Sequence, residues 1–241
     1  MKYYNFPTLI HFFGPDGAGK STQVKMLVSY LKRRGVPARI WWVRSPHTVA
    51  FVFWRLLVRI GFYRVAMNPF GVSVKLPAVN QNKMLRLFWS IIEFLGVLPL
   101  VFRTRLHILR GHKLVAERYL LDTVTTIAYF EDDVNFICGF VSKLLLKSIP
   151  KGTVFIFLDS DFETIFQRRG HSFAGHLKKK EISGEKYGQL PSAAVEPRDF
   201  IEFQRTMYKK LAESTFALVI DTSKSSVEGT FHVILQHLGL D

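Results

Sequence analysis

Phe12-Phe13-Gly14-Pro15-Asp16-Gly17-Ala18-Gly19-Lys20-Ser21-Thr22 sets a glycine-rich turn between an apolar run, Thr8–Phe13, and an amphipathic helical pattern, Ser21–Arg34. The turn follows GxxxxGK[ST] with both flanks in register. Glycines let backbone N–H groups curl around phosphate oxygens, in a concavity that a Cβ would obstruct. The helix start at Ser21 adds its positive dipole end. This geometry assigns nucleotide binding to Gly14, Pro15, Asp16, Gly17, Ala18, Gly19, Lys20, Ser21 and Thr22. Lys20 is expected to bridge the β- and γ-phosphates, and the Ser21 hydroxyl to ligate a metal. ATP and Mg²⁺ are the expected cofactors, and Asp16 either contacts the metal or the acceptor, or stabilises the turn.

Outward from this loop, short β-branched or aromatic runs alternate with helical ones. Five strands are expected: Thr8–Phe13, Ala38–Val43, Lys113–Ala116, Thr153–Leu158 and Phe216–Ile220. Helices are expected at Ser21–Arg34, Val49–Phe62, Met84–Leu95, Leu100–Leu109, Phe162–Arg169, Phe200–Glu213 and near Ser226–Leu238. The pattern implies an α/β, three-layer P-loop NTPase fold: a five-stranded parallel sheet flanked by helices, in one domain spanning 1–241. Tyr63–Gln81 lacks a period and reads as an irregular insertion. Gly170–Pro197 is rich in glycine and lysine and reads as a mobile lid.

The 241 residues are 48% hydrophobic and 22% charged, enough apolar material for a sizeable core and too much for a disordered chain. Lys and Arg number 33 against 19 Asp and Glu, a net charge of +14 that favours polyanionic partners and reads as spread along the chain. Cys138 is the single cysteine, which excludes an intramolecular disulfide or a CxxC site and fits a cytoplasmic setting. No secretion signal is read at the N-terminus. Leu87–Phe102 is the most apolar stretch, broken by Ser90, Glu93 and Pro99. Arg86, Ser90 and Glu93 share one helical face, and a deeply packed core helix is expected there rather than a lipid-facing one.

The loop and several later elements resemble, in order, those of thymidylate kinases. Val115-Ala116-Glu117-Arg118-Tyr119 is similar to the family's Asp-Arg-Tyr element, with Glu for Asp. Phe157-Leu158-Asp159 and the following Phe162-Glu163 and Arg168-Arg169 resemble its Leu-Asp element and pre-lid helix. Glu196–Phe203 resembles its post-lid helix, and Val219-Ile220-Asp221-Thr222-Ser223 its last strand and turn. The departures lie at the acceptor. Leu120–Phe130 lacks the family's glutamine, Asp122 stands at its serine position, and Gly17 stands where some members carry arginine. Arg-Tyr-x-x-Asp, with Arg103 and Arg105 upstream, looks more like a divergent thymidylate-kinase-like branch.

The resemblance implies phosphoryl transfer from ATP to a nucleoside monophosphate, dTMP first. Glu117, at a strand end, is expected to hold Mg²⁺ or take the acceptor proton, against a plain salt bridge. Arg118 is expected to clamp the acceptor phosphate, against an ion pair with Glu117 or Asp122. Arg44 and Asp122 are further substrate candidates, and Arg105 one that points into the cleft. Arg103, His107 and Arg110 form a basic helical face whose ordinary meaning is a solvated surface. Arg168 is the first choice for a transition-state cation delivered by lid closure. Asp159 serves as a metal-supporting group or a helix cap. Lys178–Lys180 read as solvated, the eight histidines form no metal motif, and at most one residue of the aromatic clusters stacks a base.

Two other classes compete: the same fold acting on another small acceptor, and a nucleotide-switched protein that binds nucleic acid or a membrane. Val49–Phe62 and Leu87–Arg105 combine apolar surface with arginines, as interfacial or dimerisation helices do, and a homodimer is the preferred expectation.

Overall fold

Leu9–Phe13 (β1) is buried at every position, because it runs through the middle of a sheet covered on both faces. The computed structural model describes residues 6–43, 48–67, 73–169 and 198–240. The chain continues through α1 (Lys20–Arg33), β2 (Ala38–Trp42), α2 (Thr48–Arg59), β3 (Tyr63–Met67), β4 (Ser73–Pro77), α3 (Lys83–Leu109), β5 (Lys113–Arg118) and α4 (Leu120–Glu131). It ends with α5 (Phe140–Ser148), β6 (Val154–Asp159), α6 over 162–169, α7 (Arg198–Thr215), β7 (Leu218–Asp221) and α8 (Val227–His237).

Five strands form one parallel sheet in the order β2-β5-β1-β6-β7. The chain leaves β1 first toward β2 and β5, and later toward β6 and β7, so β1 sits where the winding reverses. In parallel α/β sheets the crevice at such a point, at the carboxyl ends of the strands, is the binding position. Alternation assigns the two faces. Leu9, Phe13, Leu114, Ala116 and Phe157 enter a core shared with α2, α3, α4, α5 and α7. Ile10, Phe12, Val115, Ile156 and Leu158 enter a second core, against α1 and α8. All five expected sheet strands are present.

Three expectations change. Tyr63–Gln81 is not irregular: β3 and β4 pair antiparallel, Tyr63 opposite Pro77 and Met67 opposite Ser73, followed by a 3₁₀ turn at Val79–Gln81. Residues 68–72, between the two strands, lie outside the described residues. α3 is one helix, not two. Asn82 caps it by accepting from Met84 N–H at 2.8 Å, and it runs through the exposed Pro99 while Val97 and Val101 pack inward on either side. Nor is α3 a deeply packed core helix. Ser90, Glu93 and Thr104 are turned into the protein, while Met84, Phe88, Ile91, Leu95 and Phe102 are exposed.

α4 and α5 are additional to the expected helices. α4 is buried along almost its whole length, so its sequence shows no amphipathic period. The expected lid, 170–197, lies outside the described residues, as does Arg44.

Candidate functional site

The carboxyl ends of β2 and β5 and the segments that follow β1 and β7 converge on a cavity of about 630 Å³. Its floor is the loop after β1. Gly14 has φ +142°, and a Cβ there would lie 2.1 Å from the Leu158 carbonyl oxygen on the neighbouring strand. Only glycine fits so close an approach. Gly19, at φ +87°, turns the chain into α1 as its N-cap residue. Between them Ala18 N–H donates to Pro15 O at 3.2 Å.

Lys20 is buried and arches back over the loop, its Nζ donating to Gly14 O at 2.7 Å and Pro15 O at 2.8 Å. Ser21 opens the first turn of α1, and its hydroxyl donates to the Glu117 carboxylate at the end of β5. A hydroxyl and a carboxylate side by side at a helix N-terminus are hard oxygen donors that suit Mg²⁺, which prefers one or two protein ligands plus phosphate oxygens and water. No cluster of three or more His, Cys, Asp or Glu that could hold a metal exists among the described residues.

Asp16 gathers the cations. It pairs with Arg118, with Arg169 at 3.3 Å and with Lys20 at 3.5 Å. Asp16, Lys20, Glu117, Arg118, Arg168 and Arg169 therefore line one cavity with four positive and two negative side chains, a balance that favours a polyphosphate. Arg168 is tied to the turn after β7, donating to Thr222 O at 2.6 Å, Thr222 Oγ1 at 3.1 Å and Gly17 O at 3.4 Å. Arg169, rather than Arg168, is the one that reaches the Asp16 carboxylate.

Asp122 does not line this cavity. It sits buried under Arg118, 3.6 Å from its guanidinium. It also accepts from Tyr119 N–H at 3.1 Å and from Tyr208 OH at 3.0 Å, and lies 3.2 Å from His11 Nε2. Burial pushes its carboxyl up, but the His11 hydrogen bond and the charges of Arg118, His11 and Lys20 outweigh burial and hold it below its ordinary value. Burial and the adjacent Asp122 push the Tyr208 phenol well above its usual range. Asp122 thus caps α4 and braces Arg118.

Arg105 is exposed on α3, outside the cavity lining. Asp159 does not cap α6 and is not among the residues that line the cavity. It holds Arg205 through two hydrogen bonds, at 2.8 and 3.0 Å, and the cap belongs to Asp161, which accepts from Thr164 N–H at 2.6 Å. Trp42 and Thr222 also line the cavity, as do Ser225, Val227 and Thr230, which were not singled out from the sequence. The usable signal for Ser225 was its place just after the last parallel strand. Comparison with protein-family models and with curated proteins returns no match to the chain.

Proposed function

We propose that this chain is a P-loop kinase that uses ATP and Mg²⁺ to phosphorylate a nucleoside monophosphate, with dTMP the first candidate. The observation that carries this reading is the loop itself: Gly14–Gly19 curled beneath Lys20, with the Ser21 hydroxyl against Glu117 at the switch point of a parallel sheet. The cavity volume suits a nucleotide. Backbone N–H groups and Lys20 hold the triphosphate. Mg²⁺, held by Ser21 and through water by Glu117, would neutralise charge on the β- and γ-oxygens. Arg118, braced by Asp16 and Asp122, orients the acceptor phosphate for in-line attack. An acceptor oxygen bonds to the γ-phosphorus as the bridge to the β-phosphate breaks, leaving ADP. Alignment and charge neutralisation carry such a reaction, with little covalent work for the protein.

A second reading keeps the kinase and changes the acceptor. It is favoured by α4, where the family's base-holding residues would fall: eleven of its twelve residues are buried, and Tyr129 is bonded to Asp199 at 3.0 Å. ADP release over a panel of nucleoside monophosphates, with products identified by mass, tests both. Stimulation led by dTMP supports the first reading, and stimulation by none of them, with ATP still bound, supports the second. Lys20→Ala should abolish turnover with the fold intact by circular dichroism, and persisting turnover would remove the loop from catalysis.

A further inference from the structure

We propose that the face built by α2, the β3–β4 hairpin and α3 docks on an anionic lipid bilayer, lying in its interfacial plane. α3 carries an apolar stripe on its outer side as well as on its inner one. Met84, Phe88, Ile91, Leu95, Leu98 and Phe102 follow one another at alternating spacings of four and three residues, and they are 38–74% exposed. Ser90, Glu93 and Thr104 occupy the inner side. Only 28% of the most apolar 18-residue window of α3 is buried. α2 extends the apolar surface with Val49, Val52, Leu56 and Ile60, a stripe of exposed side chains along one side of the helix and its end. Between α2 and β4 lies an open apolar groove of about 670 Å³, in which Arg55, Arg59 and Lys75 are the charged side chains among the described residues. Exposed apolar surface on this scale marks a site of association.

Charge selects the occupant. The net charge is not spread along the chain as first read. Residues 17–116 hold 17 Lys and Arg against a single carboxylate, a net +16, while the other 141 residues hold 16 against 18, a net −2. That one carboxylate is Glu93, and it is fully buried. Part of this charge belongs to α1 on the opposite side of the sheet. Arg55, Arg59, Lys75, Arg103 and Arg105, however, stand exposed on the elements of the apolar face itself. At the end of α3, desolvation and then the charges of Arg39, His112, Arg103 and Arg110 hold the His107 imidazole below its usual value, as expected where cations crowd without a carboxylate. A greasy surface set with cations and bare of exposed acids complements anionic headgroups over an acyl boundary.

The same composition disfavours a second copy of the chain. A two-fold contact would set each cationic face against its own image, with no exposed carboxylate to pair. Spanning the bilayer is excluded by the inner side of α3, where Trp89, Val97 and Val101 belong to the core of the fold. Docking does not depend on the activity of the nucleotide cavity.

Flotation of the full chain with vesicles of 70% phosphatidylcholine and 30% phosphatidylglycerol, at physiological salt, tests the proposal. Binding is expected, at least tenfold weaker on pure phosphatidylcholine. Leu95→Asp combined with Phe102→Asp should reduce it at least tenfold with an unchanged melting temperature, and Leu56→Asp should do the same from α2. Failure to float on phosphatidylglycerol vesicles would overturn the proposal. So would flotation untouched by all three substitutions, which would mean adsorption through charge elsewhere. A non-floating dimer in light scattering, dissolved by the same substitutions, would assign the face to a second copy instead.

Discussion

Gly14 shows how a single hydrogen atom in place of a methyl group can set a site. The loop leaves β1 against the backbone of β6, and the Leu158 carbonyl occupies the space a Cβ would need. Neither partner is a flexible side chain, so Gly14→Ala must displace backbone. It should cost about 3 kcal/mol or more and lower the melting temperature by about 6–12 °C, measured by calorimetry. Glu131 is a residue of the opposite kind, a charged group in a place that disfavours charge. Burial, opposed by the Ser90 hydrogen bond and the Arg86 charge and helped by Asp133, raises its carboxyl from 4.5 to about 7. The folded state therefore holds a proton that the unfolded chain has lost. Stability contributed here is fully present below pH 4.5 and declines as pH rises toward 7, by on the order of 2–3 kcal/mol. Glu131→Gln keeps an acceptor for Ser90 without the charge. Its melting temperature should exceed wild type at pH 8, and the gap should close at pH 4.5.

Among elements, α4 is the hinge between sheet and site. Its N-terminus is closed by Asp122, which also ties it to β1 through His11, to α7 through Tyr208 and to β5 through Arg118. Asp122→Asn keeps the shape but removes the charge that His11 and Arg118 face. A loss of about 2–4 kcal/mol is expected in denaturant titrations, since breaking a buried pair leaves its partners uncompensated. The Asp122 carboxyl is held below its ordinary 3.8, so the stability it contributes is present above that pH. The difference between the two proteins should therefore shrink as pH falls through 3.8 and below. α3 teaches another lesson at this scale. Its inner side mixes Ser90, Glu93 and Thr104 with Trp89, Val97 and Val101, while an apolar stripe stays outside, so hydropathy alone could not tell a core helix from a surface one.

At the scale of the molecule, parallel strand order gathers the site. Residues from Gly14 to Thr222, remote in sequence, meet because every strand of the main sheet ends at the same edge. A ligand bound across that edge ties β1, β5 and the turn after β7 together. ATP with Mg²⁺ at about a hundred times its dissociation constant should stabilise the fold by ~2.7 kcal/mol, a rise of about 5–10 °C in melting temperature. Adenosine alone should not reproduce the shift, and Lys20→Ala should lose it.

The sequence by itself determined the five strands of the sheet, the glycine-rich turn and the first helix. Each of these is written in local signals: β-branched runs, glycine spacing and a 3.6-residue period. The charge concentration in 17–116 was equally legible, although a net total concealed it. Tertiary structure alone decided the rest. It turned Asp122 inward, since a side chain at a helix N-terminus can serve a cap or a ligand and only the neighbours His11 and Tyr208 settle which. It set Arg169 rather than Arg168 on Asp16, because adjacent helix positions point about 100° apart and only the packing of α6 fixes where each lands. It hid α4, whose all-round burial erases the period that would have announced it, and it left an apolar stripe of α3 outside. Burial is a property of what the rest of the chain covers, and no local pattern records that.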